Sequence, residues 1–435
     1  MSAIVWETVQ DQVLEETYYR ATFPGGLEVQ VCPKPGYSTA YALYSAKYGS
    51  LDAAIVYPDG KTLQLPEGTA HFLEHKLFES DEVDAFALFA KTGASANAFT
   101  SFEKTAYQFS CAEHFEKNLE ILLGFVQAPY FTQTTVEKEQ GIIGQEIRMY
   151  QDDPNWREFF EMLGMLFPVH PVCADIAGTA ETIAEITADM LYECHRRFYH
   201  PANMILVATG NVTVDTAEEI VLRLLKPAEG EPARRPAMVD DAAPAQRSAA
   251  LQMPVAAPRF LLGWKERTGG AAPNLRQSLL AELCLDVLLG ETAPLYEQLL
   301  NEGLINPGFC AEYFNGPGYA ACLLGGETKQ PERTAALVRE ALQTAAQLGI
   351  EAEAFEQARR KKYGQMVKQC NDIEQMARRM TQAYFNGDAY FDRVALLRGF
   401  TVKDANERLQ ALFREGYDAL VITEPLKIAK ESEAV

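Results

Sequence analysis

The sequence is poor in positive charge and has no long apolar run. Its 435 residues include 39 lysines and arginines against 60 aspartates and glutamates, which gives a formal net charge of −21 at pH 7. Nucleic acids and anionic membranes bind positively charged surfaces, so this balance argues against both as general partners. No apolar stretch approaches the roughly 18 residues that a membrane-spanning helix requires. We therefore expect no nucleic-acid partner and no membrane partner.

Cysteine and histidine are also scarce. The eight cysteines are scattered without a C-x-x-C pair, and the chain has six histidines. This pattern disfavours a disulfide framework and a zinc–thiolate site, and it favours reduced thiols in a bacterial-type cytoplasm. The first basic residue is Arg20, so the N-terminal segment lacks the pattern of a secretory signal or a transit peptide. The sequence predicts a cytoplasmic protein.

Two of the histidines stand in the motif H-x-x-E-H, formed by His71, Glu74 and His75. In an α-helix these three side chains share one face, and the motif matches the inverted zinc-peptidase pattern. Leu73 and Leu77 predict that the helix is buried, where unpaired polar groups require a cation or a full set of hydrogen bonds. Two histidines need a third protein ligand beside an open position for water, and Glu74 is the candidate base. The alternative is a helix whose histidines are exposed or hydrogen-bonded in the core.

A second helix is predicted from Thr134 to Tyr150, starting with a capping box formed by Thr134 and Glu137. Glu139 and Glu146 lie two turns apart on its apolar stripe, where carboxylates need positive charge nearby. The rise per residue separates them by roughly 10 Å, so both cannot bind one zinc ion. Periodicity does not choose between them, and two solvated acids at the margin of the helix remain the alternative. The apolar stripe consists of Val136, Ile143, Ile147 and Tyr150.

A β-hairpin is predicted from alternating residues at 93–100 and 105–109. Taken alone, the pattern indicates no more than a hairpin at the edge of a sheet. His195 and His200 are five residues apart and do not share a helix face, so we interpret both as structural.

A proline-rich segment at 227–248 has little apolar periodicity and is predicted to be a linker. It separates an N-terminal domain at 1–226 from a C-terminal domain at 249–435, and each half has the mixed strand and helix pattern of an α+β domain. In the second half we predict a first strand at 260–264, a helix from about Asn274 to Leu289 and a further strand that begins at Gly316.

The run at 68–75 and the later run at 139–147 resemble the motifs of the M16 (insulinase/pitrilysin) metallopeptidases, which are inverzincins. The resemblance implies that His71, His75 and Glu146 bind Zn²⁺. It implies that Glu139 is a carboxylate outside the coordination shell that is important for activity. The hairpin strand is similar to the family's N-A-x-T strand, which implies that Asn97, Ala98 and Phe99 contact the substrate as an added strand.

The resemblance also implies a fold of two similar domains, each a mainly antiparallel sheet with helices packed on one side. One part of the family pattern is missing. Active members carry an Arg and, seven residues later, a Tyr that clamp the substrate, whereas Leu300 and Asn306 stand near those positions. The chain therefore resembles the metal-bearing subunit of a bacterial heteromeric pair. The implied partner is a paralogue that lacks H-x-x-E-H, or a second copy in a homodimer, enclosing a chamber.

Together these features predict a zinc-dependent endopeptidase that cleaves peptides or unfolded segments. The alternative is a non-catalytic assembly or scaffold subunit of an M16-type complex, which would need neither the ligands nor the base. A serine or cysteine hydrolase is disfavoured because the sequence has no G-x-S-x-G motif and no recognisable cysteine nucleophile.

Overall fold

The computed structural model of the protein describes residues 4–57, 59–81 and 84–426. The strands are β1 (Glu7–Asp11), β2 (Glu16–Thr22), β3 (Glu28–Pro33), β4 (Ala40–Ala46), β5 (Ala54–Val56), β6 (Thr62–Gln64), β7 (Ser95–Thr100), β8 (Thr105–Cys111), β9 (Met204–Gly210), β10 (Ser248–Met253), β11 (Arg259–Lys265), β12 (Cys310–Gly316), β13 (Tyr319–Glu327) and β14 (Asp418–Pro425). The helices are α1 (Thr69–Leu77), α2 (Ala85–Thr92), α3 (Phe115–Val126), α4 (Gln133–Gln151), α5 (Pro154–Leu166), α6 (Ala180–Ala184), α7 (Ala188–Phe198), α8 (Val214–Leu224), α9 (Leu275–Leu289), α10 (Pro294–Asn301), α11 (Pro331–Leu348), α12 (Ala352–Gln369), α13 (Ile373–Asn386), α14 (Asp392–Gly399) and α15 (Val402–Leu412).

The chain forms two compact units, and neither is continuous in sequence. Unit 1 contains the residues up to Ile147 together with Ala174–Pro236 and Gly364–Ala395. Unit 2 contains Arg148–Cys173, Ala237–Tyr363 and the residues from Leu396 onwards. Each unit therefore takes at least one helix from the far half of the sequence. The division into domains at 1–226 and 249–435 stays a prediction.

Unit 1 is built on a sheet with the strand order β1-β2-β3-β9-β4-β8-β7 in the described chain. All neighbours are antiparallel except β3 and β9, which are parallel. Strand β7 is at one edge and, among the described residues, pairs with β8 only, in the register that places Thr100 opposite Thr105. An edge strand has one row of backbone groups without a neighbouring strand, so β7 is open to pairing.

Helix α13 covers the middle of this sheet, where it packs against β9 and β4. Its apolar side chains recur at helical spacing, and every second residue of β4 faces them, as expected from the two periodicities. The buried cluster formed in this way includes Tyr18, Cys32, Tyr41, Leu43, Ile205, Val207, Met376, Ala377 and Met380. A helix from late in the sequence thus completes the core of the unit that begins the chain.

Unit 2 has a smaller sheet with the strand order β10-β14-β11-β13-β12 in the described chain. Strand β10 is parallel to β14, and the other neighbours are antiparallel. Helix α5, from the first half of the sequence, packs against β14 and β11, and α9 packs against β12 and α15. Mixed sheets and helices in two sheet-bearing units confirm the predicted α+β class.

The helix predicted from Asn274 is confirmed, with Asn274 as its N-cap and Gln277 completing a capping box. Three other predicted elements differ from the structure. The start predicted at Thr134 is wrong, because Thr132 and Thr135 exchange the capping hydrogen bonds and α4 begins at Gln133. Strand β10 begins at the end of the predicted linker and was not predicted. The strand predicted from Gly316 is displaced, since residues 317 and 318 form the turn between β12 and β13.

A buried ion pair joins the segment before β10 to the sheet of unit 2. The Lys265 Nζ donates to Asp240 Oδ1 at 2.6 Å, and both side chains are almost fully buried, with 0% and 2% exposed. The second carboxylate oxygen of Asp240 accepts from the backbone N–H of Val169 at 3.2 Å. The carboxylate therefore accepts from two donors, one of which is the buried ammonium group of Lys265.

Replacing Asp240 with Ala is expected to lower the free energy of unfolding by about 3–5 kcal/mol, because it leaves an unpaired ammonium in the core. Urea denaturation measures this change. The matched control is Glu407→Ala, since Glu407 pairs with Lys403 in side chains that are 68% and 84% exposed. Such an exposed pair contributes about 1 kcal/mol or less. Equal effects of the two substitutions would contradict the assignment.

Candidate active site

The position of helix α1 depends on the glycine that precedes it. Gly68 is the N-cap of α1 and has a φ of 89°, in the left-handed region that favours glycine. A Cβ at this position would lie 2.5 Å from the backbone oxygen of Ala177. The chain therefore enters α1 where other residues do not fit. Phe72, Leu73 and Leu77, on the side of the helix away from the H-x-x-E-H side chains, are buried, as the sequence predicts.

Helices α1 and α4 bring three ionisable side chains together. Potential ligand atoms of His71, His75 and Glu146 all lie within 4.8 Å of one another. The Nε2 of His71 is 3.7 Å from Glu146 Oε1, and the Nε2 of His75 is 3.6 Å from Glu146 Oε2. Of the two acids that periodicity left open on α4, Glu146 is the one whose carboxylate joins both imidazoles.

Glu139 has a different place. Its Oε1 lies 3.0 Å from Nδ1 of His75, and a carboxylate oxygen accepts, so Nδ1 carries the proton in this pair. The hydrogen bond fixes the orientation of the His75 ring and leaves Nε2 towards Glu146. The other ring is held less completely, because Nδ1 of His71 is buried and has no hydrogen-bond partner among the described residues.

Burial changes the acid–base behaviour of these groups in the absence of a metal. Burial raises the pKa of the Glu74 carboxyl to about 7, although the hydrogen bond from Thr100 and the charge of His75 oppose the shift. Burial, with the nearby charge of His75, lowers the pKa of His71 to about 4. Burial also lowers the pKa of His75, but the hydrogen bond to Glu139 and the surrounding carboxylates outweigh it and raise that pKa overall. His71 is thus neutral at pH 7, as a ligand must be.

This donor set fits a zinc ion. Zinc takes imidazole nitrogen and carboxylate oxygen at about 2.0–2.2 Å, and tetrahedral geometry then separates neighbouring donors by roughly 3.3–3.6 Å. The two imidazole–carboxylate separations are 3.7 and 3.6 Å, each to a different oxygen of Glu146, and one ligand atom from each residue lies within 4.8 Å of the others. Two histidines and one acid leave a fourth position, as catalytic zinc sites do. His71, His75 and Glu146 therefore have the chemistry and the spacing to hold the metal.

Strand β7 passes beside α1, and these two elements are in contact. Asn97 is exposed on this edge strand, while Ala98 and Phe99 are half-buried. The side-chain oxygen of Asn97 accepts from the backbone N–H of Ala98 at 2.8 Å. The ring of Phe99 lies 4.8 Å from the guanidinium of Arg378, and it packs against the core cluster under α13. Asn97 and Ala98 thus lie at the open edge, whereas the Phe99 side chain points inward.

Thr100 is a contact of Glu74 that was not among the site residues proposed from the sequence. Its Oγ1 donates to Glu74 Oε2 at 2.6 Å. A strand places residues i and i+2 on one face, so the position of Ala98 already implied that of Thr100. The sequence therefore contained the signal, but it did not indicate which helix residue the threonine meets.

The remaining singled-out residues have other contacts. His195 donates from Nε2 to the backbone oxygen of Val126 at 2.8 Å, and His200 accepts from the backbone N–H of Ala202 at 3.1 Å. Leu300 is 39% exposed on α10. The Asn306 amide donates to Glu327 at 2.9 Å, and its oxygen accepts from a backbone N–H. Leu300 and Asn306 provide no positively charged group.

Two protein-family models match the chain: Insulinase (Peptidase family M16) over residues 64–165, and Peptidase M16 inactive domain over residues 185–362. The chain is also similar to the zinc protease YmfH of Bacillus subtilis (strain 168), with 40% identity over 412 residues that cover 92% of this chain and 95% of that protein. The chain belongs to peptidase family M16.

Solved M16 structures have the same fold. An M16-like peptidase from Alicyclobacillus acidocaldarius aligns with a TM-score of 0.89 and 35% identity, covering 98% of this chain and 99% of that one. Pitrilysin aligns with a TM-score of 0.76 over 96% of this chain and 46% of its own length, and its 16% identity supports the fold alone. In the part of this M16 chain that the structure describes, every helix is too short or too polar to cross a membrane.

The geometry predicts different losses of zinc affinity for the two acids on α4. Glu146→Gln should remove the carboxylate between the imidazoles and abolish stoichiometric zinc binding. Glu139→Gln should lower the affinity by about 10–100-fold, because it removes only the group that orients His75. Competition titration of purified protein with a zinc chelator measures both. Glu137→Gln, on the exposed side of the same helix, is the control and should bind zinc normally. A larger loss for Glu139→Gln than for Glu146→Gln would contradict the arrangement.

Proposed function

We propose that this M16 chain is a zinc-dependent endopeptidase that hydrolyses peptide bonds in peptides or unfolded segments. The observation that carries the proposal is the convergence of His71, His75 and Glu146 within 4.8 Å beside the buried carboxyl of Glu74. Similar proteins that are named zinc proteases support the proposal. A non-catalytic assembly subunit would need none of these groups in this arrangement.

In this proposal His71, His75 and Glu146 hold the metal, and Glu139 fixes the ring of His75. When bound, zinc supplies a Lewis acid that polarises the scissile carbonyl and lowers the pKa of a water molecule. The protein's own contribution is to orient the ligand side chains before the metal binds. The hydrogen bond between His75 and Glu139, at 3.0 Å, is part of that preparation.

Glu74 is the general base of the proposed reaction. Its carboxyl is buried, with 8% of the residue exposed, and a base is most effective when its pKa is near the working pH. Burial raises the pKa of Glu74 to about 7 before a metal is bound, and a cation at the neighbouring site would favour the ionised form. Glu74 would take a proton from the attacking water and return it to the leaving amine.

The open edge of β7 is the proposed binding surface for the substrate backbone. A peptide in extended form adds to such an edge through main-chain hydrogen bonds, which gives affinity with loose sequence preference. The N–H of Ala98 is available for that pairing once the side chain of Asn97, which now accepts from it, turns away. Thr100 on the same strand contacts Glu74, so a peptide paired with β7 would lie next to the base.

We further propose that the active species is an assembly of two chains that enclose a chamber. Leu300 offers no donor for a substrate oxygen, and the Asn306 amide is bound to Glu327. A paralogue without H-x-x-E-H would supply the missing Arg and Tyr, and a homodimer is the second arrangement. A cytoplasmic location is part of the proposal. It is supported by the eight cysteines, which are all described and all free of disulfides.

The role of Glu74 is tested by Glu74→Gln, which keeps the shape of the side chain and removes the base. The kcat for a quenched fluorescent peptide should fall by about 100–10,000-fold, the range that general acid–base catalysis contributes. Zinc content should remain that of the wild type, since Glu74 is not one of the grouped donors. Near-normal turnover by zinc-loaded Glu74→Gln would show that the base is wrongly assigned.

The need for a partner is tested by assaying the purified chain alone and together with the product of an adjacent paralogous gene. Loss of one transition-state donor typically lowers kcat by about 100–1,000-fold, so the mixture should exceed the single chain by at least about 100-fold. A partner variant in which the proposed Arg is replaced by Leu is the control and should not restore activity. Full activity of the chain alone would contradict the requirement for a second kind of subunit.

A further inference from the structure

The Glu74 carboxyl has two chemically different oxygens in this structure. Oε2 accepts a hydrogen bond from Thr100 Oγ1 at 2.6 Å, the short distance typical of a hydroxyl donating to a carboxylate. Only 8% of Glu74 is exposed, and hydrogen bonds are stronger where water is excluded. Oε2 is therefore engaged by the protein, while Oε1 has no hydrogen bond from the residues that the structure describes.

The hydroxyl of Thr100 has two possible hydrogen-bond acceptors, Glu74 and Thr105, and it donates to Glu74. Thr100 Oγ1 also lies 3.2 Å from Thr105 Oγ1, so either atom could donate in that contact. Thr105 Oγ1, however, donates to the backbone oxygen of Tyr48 at 2.9 Å, and a carbonyl can only accept. Since each hydroxyl has one proton, Thr105 has none left for Thr100. Ionised Glu74 is the stronger acceptor for the proton of Thr100.

The scaffold keeps this hydroxyl in place. Thr100 ends β7, Thr105 begins β8, and the two residues face each other in the antiparallel register. Threonine is branched at Cβ and has few rotamers, and Thr105 is fully buried. The turn between the strands is held by the backbone hydrogen bond from Ser101 to Lys104 at 2.8 Å. The donor to Glu74 thus belongs to a hairpin that is closed by a backbone hydrogen bond and anchored by the buried Thr105.

We propose that Thr100 is a positioning residue that occupies Oε2 of Glu74 and reserves Oε1 for the proton in catalysis. The inference rests on the proposed function and deepens it. When water attacks, its O–H bond breaks, a bond forms between that hydrogen and Oε1, and the water oxygen bonds to the carbonyl carbon while the C=O π pair moves onto the carbonyl oxygen. When that pair returns to re-form the C=O bond, the C–N bond breaks, its electron pair goes to the nitrogen, and Oε1 gives the proton to that nitrogen, which restores the carboxylate.

Without the hydroxyl, the carboxyl group can rotate and its proton can be on either oxygen. Only the fraction of molecules with the proton on the substrate side can then donate it to the leaving nitrogen. Misorientation of a catalytic group can lower a rate by up to about 100-fold. Binding of the substrate backbone at β7 does not use the Thr100 hydroxyl, so KM should change little.

The test compares Thr100→Val, which has nearly the same shape and no hydroxyl, with Thr100→Ser, which keeps the hydroxyl. Both are assayed as zinc-loaded protein in the assembly in which the wild type is active. For Thr100→Val we expect kcat to fall about 10–100-fold with KM within about twofold, and for Thr100→Ser kcat within about threefold of the wild type. Zinc content should be unchanged in both variants.

The control for loss of a buried threonine hydroxyl in the same sheet is Thr209→Val. Thr209 is fully buried on β9 and donates to the backbone oxygen of Ile373 at 2.7 Å. It should lower the melting temperature without lowering kcat. If Thr100→Val does not fold, Thr100→Ala provides the same comparison with Thr100→Ser.

Equal kcat for Thr100→Val and the wild type would overturn the inference, and so would an equal fall in Thr100→Ser, because the methyl group rather than the hydroxyl would then matter. Neither result would affect the proposed base. The proposed function fails through a different observation, namely turnover by Glu74→Gln. The two claims are therefore separable in one set of assays.

Discussion

The electrostatic balance around His71, His75 and three carboxylates is the constraint on which unit 1 depends. Glu146 lies within 3.7 Å of both imidazoles, Glu139 is hydrogen-bonded to His75, and the buried Glu74 interacts electrostatically with His75. Buried like charges are unfavourable unless a cation compensates them. A divalent ion at the centre of the group would balance this charge, and its binding would then contribute to the stability of the fold.

The rest of unit 1 holds that group at fixed positions. Gly68 determines where α1 begins, and α4 brings Glu146 from a distant part of the sequence. The sheet ends in β7, which is covered by β8 on one side and left open on the other. The proposed metal ligands, the proposed base and the proposed peptide-binding edge thus belong to three elements of one unit. Catalytic and binding side chains are held more precisely on helices and strands than on loops.

Local sequence patterns predicted part of this arrangement. The spacing of His71 and His75 is short enough to define a helix face, and alternation at 93–109 predicted the hairpin that became β7 and β8. The choice between Glu139 and Glu146 could not be derived from periodicity, because both lie on the same side of α4. The resemblance to M16 peptidases implied Glu146, and its carboxylate oxygens lie 3.7 Å from His71 and 3.6 Å from His75 in the structure.

Other features depend on contacts between distant segments, which local patterns do not encode. The amphipathic pattern of α13 shows that one face is buried, but not that it packs on the first sheet, beside strands more than 150 residues earlier. The hydrogen bond between Thr100 and Glu74 likewise joins a strand to a helix 26 positions away. Strand β10 follows a proline-rich segment, and its parallel partner β14 is near the end of the described chain.

X-ray absorption at the zinc edge of the purified protein would determine the ligands of the proposed metal centre. We expect one zinc ion per chain with only nitrogen and oxygen donors at about 2.0–2.2 Å, and with the multiple scattering of two imidazole rings. A spectrum with sulfur donors, or with a single imidazole, would contradict it. So would a protein that binds no zinc at neutral pH.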